Sequence, residues 1–142
     1  MNAIRNIQIE LSMNSHPQAY YHAAYFDYRL GNRQDEFIHI KALLKKNIES
    51  RLSDYAADGI NRLSELCTDT NQRMDCVSLL KQLEAAFPTD NKILIATSGC
   101  YERFDMLNES AATLQHAKSL QHTDPEIESR LNRLMEKIAG KK

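Results

Sequence analysis

The side chains that most often carry chemistry are thinly spread along this 142-residue chain, with five histidines and three cysteines. A zinc hydrolase would need two histidines one helical turn apart, so that both reach the same ion. His16, His22, His39, His116 and His122 contain no i, i+4 pair, and His116 and His122 fall on different faces of a helix. Phosphate chemistry would need a glycine-rich loop whose backbone N–H groups close on the anion, and the four scattered glycines form none. Cys67, Cys76 and Cys100 are an odd set without Cys-x-x-Cys spacing and read as small buried apolar residues. A nucleophile made of Cys67 or Cys100 with a distant histidine would rest on residue type alone. Asp54, Asp58 and Glu65 can share one helix face, as solvated carboxylates commonly do. The expectation is a chain that is not an enzyme, with no catalytic residues, no metal and no cofactor.

What stands out instead is phenolic. Tyr20, Tyr21, Tyr25, Phe26 and Tyr28 are five of the ten aromatic residues, packed into nine positions. Tyr21, Tyr25 and Tyr28 follow i, i+4, i+7 spacing, so one helix face carries all three. Tyrosine offers a large apolar ring with a polar tip and loses little entropy on contact, which favours it in interfaces. The same spacing also suits a core stripe, and both readings stand at this point.

The elements that must position these rings are helices. Four glycines and three prolines are too few for the many tight turns of an all-β chain, and 42% hydrophobic with 26% charged residues is ordinary for a globular protein. With 18 basic and 19 acidic residues there is no cationic surplus to displace counterions from phosphates, so nucleic acid is not an expected partner. No window approaches a membrane span and the N-terminus carries no apolar block of signal-peptide length, which makes the cytoplasm the expected compartment.

Helical period runs from Pro17 onward. The spacing predicts helices over 18–30, ended by Gly31-Asn32, and over 33–47, with Phe37, Ile40, Leu43 and Leu44 on one face. A third is predicted over 48–67, containing Gly59, followed by a turn at 68–71. Further helices are predicted over 72–87, stopped by Pro88, then over 90–104 and 108–120. A seventh starts at Asp124-Pro125, with Ile127, Leu131, Leu134 and Ile138 on a stripe and Glu128, Arg133, Glu136 and Lys137 on its polar side. Residues 1–16 fit a strand through Ile7, Ile9, Leu11 and Met13, or a helix through Ile4, Ile7 and Leu11. They are taken as an arm or short helix, separate from a single domain over 17–142.

The helices repeat. A shift of 34 residues pairs Ile60 with Leu94, Ser64 with Ser98, Leu80 with Leu114 and Leu83 with Ala117. Units 57–90 and 91–124 place small residues (Ser64, Cys76, Ser98, Ser110) where two helices of a hairpin would approach closely. A further unit fits 17–50, with Tyr20, Ala23, Ala24, Ile40 and Leu43 in register. On these positions the chain resembles the tetratricopeptide-repeat family. It departs from that pattern in having no tryptophan, in Asp27 where an aromatic is usual, in Glu36 at a small slot, and in His122 in place of the closing proline. The resemblance implies an all-α right-handed superhelix of about three antiparallel hairpins with a C-terminal capping helix.

The resemblance also implies a concave groove built from the first helix of each hairpin. Its residues would be Gln18, Tyr21, Tyr25, Tyr28 and Arg29 in the first unit, and Asp58, Asn61, Glu65, Thr68 and Asp69 in the second. The third would supply Lys92, Ile95, Gly99, Glu102 and Arg103. Such a surface, aromatic, then acidic, then mixed in charge, suits a peptide or helix of a partner protein with an apolar anchor followed by a basic residue. The lysine, asparagine and arginine clamp with which some repeats grip acidic chaperone tails is absent, since Tyr21, Tyr25, Asn61 and Glu65 occupy those positions. The implied role is an adaptor or chaperone, similar in size and architecture to the repeat-type chaperones of bacterial secretion. Two alternatives are an inhibitor acting through its acidic middle, and self-assembly, including a homodimer through the arm.

Overall fold

The computed structural model describes residues 16–67, 69–120 and 125–140. The readings made for the arm, for Thr68 and for His122 therefore lie outside the described residues. Within them the chain forms α1 (Pro17–Arg29), α2 (Arg33–Ser50), α3 (Ala56–Leu66), α4 (Thr70–Ala86), α5 (Asn91–Arg103), α6 (Leu107–Ser119) and α7 (Pro125–Gly140). No strand occurs among the described residues, and none of the helices is long and apolar enough to cross a membrane.

Local chemistry sets most ends. His16 caps α1 by accepting from the Gln18 N–H, and Pro17 follows it in the first turn, where a missing N–H costs nothing. Gly31 takes φ 73° after α1, a left-handed backbone that glycine adopts without a steric penalty. Asp69 and Asp90 cap α4 and α5 by accepting from Asn71 N–H and Ile93 N–H.

The helix predicted over 48–67 is not one helix. Residues 48–50 finish α2, and α3 begins only at Ala56, with Arg51 and Tyr55 at left-handed φ of 61° and 63° on either side of the loop. The cause is Asn47, wholly buried, whose Nδ2 donates to the Leu52 carbonyl at 2.6 Å and the Asp54 carbonyl at 3.0 Å. Those bonds satisfy carbonyls that a continuous helix would have used.

α1 and α2, and α5 and α6, pack as antiparallel pairs, α3 lies beside both α2 and α5, and α7 closes the array against α6; the expected middle hairpin is looser, since α4 packs against α2 and α5 more than against α3. One core runs from α1 to α5 around Leu43, Leu44, Ile60, Leu63, Leu80 and Leu83. A second, around Leu94, Leu114, Ile127 and Leu134, fastens α6 and α7. Each such aliphatic side chain contributes about 1.5–3 kcal/mol on burial. Gly59 costs α3 about 1 kcal/mol of helix propensity. A Cβ there would sit 2.9 Å from Leu43 Cδ2 and 3.1 Å from Leu44 Cδ2, so the glycine is what lets α2 approach α3.

The α5–α6 seam is drawn in by the predicted serines: Ser98 Oγ and Ser110 Oγ are 2.7 Å apart, and Ser110 Oγ also lies 2.7 Å from the Ser98 carbonyl. Ser64 differs. It is half-buried, donates to the Asn61 carbonyl within its own helix, and faces an open pocket. The two charged residues at family packing slots are buried and paired. Asp27 meets His39 across α1 and α2, and Glu36 accepts two bonds from Arg62 across α2 and α3, at 2.5 and 3.0 Å. A buried carboxylate demands such a partner.

Candidate functional site

The tyrosine cluster of α1 divides by depth. Tyr20 packs against the core. Tyr21 is half-buried and stacks on Tyr55, ring centroids 4.3 Å apart and planes within 10°. Tyr25 and Tyr28 remain 51% and 52% exposed, large rings presented to solvent. Phe26 is half-buried.

Tyr21, Tyr25 and Tyr28 of α1 line a pocket of about 330 Å³ together with Asp58, Asn61, Arg62 and Glu65 of α3 and with Ile40 and Glu36 of α2. Arg62 organises this pocket. It is held by Glu36, contacts Glu65 Oε2 at 2.6 Å, and lays its guanidinium over the Tyr28 ring at 4.8 Å from the centroid. The hydrogen bond to Glu36 leads the causes that raise its pKa, so it stays cationic throughout. Burial, then the neighbouring Asp58 carboxylate, push the Tyr21 phenol above its ordinary value.

A second pocket, of about 420 Å³, continues along the same face between α3 and α5 and is shared with α7. Asn61 and Glu65 line both pockets. Lys92, Ile95, Gly99 and Arg103 of α5 form its far wall, with Glu126 and Arg130 of α7. Arg103 reaches Glu65 at 3.8 Å.

A thermophilic tetratricopeptide-repeat protein of Thermus thermophilus superposes on this chain with a TM-score of 0.56 at 23% identity, over 96% of this chain and 73% of its own. The chain has a tetratricopeptide-repeat-like fold. The MamA RS-1 ArsTM double mutant superposes with a TM-score of 0.58 at 16% identity, over 94% of this chain and 72% of that one. No known family's sequence model matches the chain. No curated protein matches it in sequence either.

The two pockets form one groove along α1, α3 and α5. Of the residues expected there, Tyr21, Tyr25, Tyr28, Asp58, Asn61, Glu65, Lys92, Ile95, Gly99 and Arg103 line it. Four others do not line either pocket. Gln18 and Arg29 are exposed elsewhere on α1. Asp69 spends its carboxylate on the α4 cap. Glu102 is turned to α7, where it accepts from Arg133 at 3.1 Å and Lys137 at 2.5 Å. Burial alone would raise the Glu102 carboxyl, but the Lys137 hydrogen bond and the Arg133 charge outweigh it and hold the group below its ordinary value. Arg133 and Lys137, expected on the outer side of the capping helix, are therefore the residues that pin it to α5. Sequence reasoning missed Arg62, Glu36 and Arg130. The signal was present for Arg62, at i+4 from Asp58 and three residues before Glu65 on a helix already assigned to the groove.

The expected acidic middle is narrower than composition suggested. Glu65 already faces two guanidinium groups, and Asp58 is left without a cation within ion-pair distance among the described residues. The three cysteines are buried and unbonded. Burial pushes the Cys100 thiol up to about 12 and raises Cys76 as well, so both are held as inert thiols at neutral pH. Among the described residues no group of three His, Cys, Asp or Glu side chains is arranged to hold a metal ion.

Proposed function

We propose that the chain is a non-catalytic protein-interaction module, an adaptor or chaperone, that holds a peptide or helical segment of a partner protein in the groove along α1, α3 and α5. The observation that carries this reading is the pair of half-exposed rings, Tyr25 and Tyr28, on the wall of a pocket that runs on into a second one. An isolated chain gains nothing by leaving two phenol rings open beside each other, whereas a partner segment would bury them at low entropic cost. The groove residues in this reading are Tyr21, Tyr25, Tyr28, Asp58, Asn61, Glu65, Lys92 and Arg103.

The test compares the wild-type chain with Tyr25→Ala/Tyr28→Ala as bait in native lysate, with circular dichroism on both. Neither ring is part of the buried core, so the variant should keep its helix content. A partner held by the wild type and lost by the folded variant supports the reading. A partner held equally by both would overturn it.

A further inference from the structure

Resting on the groove reading above, we propose that the tyrosine end of the groove is a subsite for one cationic side chain of the partner, an arginine whose guanidinium lies on the Tyr25 and Tyr21 rings and faces Asp58. The pocket already displays this chemistry once. Arg62, a residue of the same chain, sits with its guanidinium 4.8 Å from the Tyr28 ring centroid, charge-paired to carboxylates behind it. A planar, weakly hydrated guanidinium stacks on aromatic faces and pairs with carboxylates better than an ammonium does.

Arg62 cannot serve the rest of the pocket, because Glu36 and Glu65 fix it at 2.5 and 2.6 Å. The Tyr21–Tyr25 half of the pocket repeats the same elements, aromatic rings beside a carboxylate. Tyr25 is 51% exposed, and no cation lies over Tyr21 or Tyr25 among the described residues. Tyr21 is held rigid by stacking on Tyr55 at 4.3 Å, so its position is fixed before any ligand arrives. Asp58 lines the same pocket, exposed, with no ion-pair partner among the described residues, and close enough to raise the Tyr21 phenol. Of the three carboxylates lining the pocket, Glu36 and Glu65 are answered by Arg62 and Arg103, so Asp58 is the negative charge left beside the tyrosines, which favours a cation there and disfavours an acidic residue.

The probe is N-acetyl-argininamide, titrated to high millimolar concentration at constant ionic strength against the full chain, with the tyrosine ring resonances followed by NMR. The expected result is a saturable shift at Tyr21 and Tyr25, absent with the uncharged citrulline analogue. Tyr25→Leu should abolish it, and Asp58→Asn should weaken it about two- to fivefold, the scale of an exposed charge pair. No saturable shift, an equal response to the citrulline analogue, or an Asp58→Asn variant that binds unchanged would each overturn the subsite. If the subsite fails in this way while Tyr25→Ala/Tyr28→Ala still loses its partner, the groove reading survives and only the arginine assignment falls.

Discussion

Replacing Arg62 by alanine should cost far more than the loss of an exposed arginine normally does. Glu36 is 3% exposed, and Arg62 supplies both of its hydrogen bonds, at 2.5 and 3.0 Å. Taking away one partner of a buried pair strands a desolvated charge, at a cost of about 3–5 kcal/mol. The Arg62 side chain is itself 27% exposed, so water enters part of the space it leaves, and the expected loss lies at the low end, about 3 kcal/mol. With a urea m-value of about 2 kcal/mol/M, the unfolding midpoint falls by about 1.5 M. Glu36→Gln made on the Arg62→Ala background removes the stranded charge, so the double variant should regain about 1 kcal/mol or more over Arg62→Ala alone. Urea unfolding of the two single variants and the double variant measures this cycle. An Arg62→Ala loss under about 1 kcal/mol, or two effects that simply add, would refute the view that this pair joins α2 to α3.

Other perturbations are as specific. Asn47→Ala leaves the Leu52 and Asp54 carbonyls without their buried donor and should cost about 2 kcal/mol, with hydrogen exchange accelerating in residues 51–57 before it does in α5. Glu102→Gln releases Arg133 and Lys137 and should cost about 1 kcal/mol, seen as faster exchange in α7 alone. Because the Glu102 carboxyl is held below its ordinary value, that contribution is present at neutral pH and disappears as the pH falls through the carboxylate range, which unfolding curves across that range would show. The raised Cys76 and Cys100 thiols act in the opposite sense. Above their ordinary value of 9.0 the unfolded chain loses protons that the folded chain keeps, so stability should fall by about 1.4 kcal/mol per pH unit for each thiol, and Cys100→Ala should make that decline shallower.

How much of this was legible depended on whether the cause lay within one helix. The repeat register was readable because Ile60, Leu63, Leu80, Leu83, Leu94 and Leu114 recur with helical period, and all are buried. The tyrosine face was readable for the same reason, although spacing alone could not say that Tyr21 would be clamped by Tyr55 while Tyr25 and Tyr28 stayed open. The break after Ser50 was not readable, since it depends on where the Asn47 amide points. Asp27 and Glu36 looked like departures from the repeat pattern, and their partners His39 and Arg62 lie 12 and 26 residues away, a pairing no local window reveals. Asp69 lies outside both pockets because the helix expected from residue 72 begins at Thr70, which makes the Asp69 carboxylate its cap. Glu102 lies outside both pockets because its partners Arg133 and Lys137 belong to α7, 31 and 35 residues further along the chain.

The most direct test of the groove is photo-crosslinking from two positions in cells, with a photoreactive aromatic residue replacing Asn61, which lines both pockets, or Met74, which is 75% exposed on α4 and lines neither. The groove account expects a discrete crosslinked partner from position 61, competed away by Tyr25→Ala/Tyr28→Ala, and none from position 74. The same partner captured from position 74 and not from position 61 would contradict it.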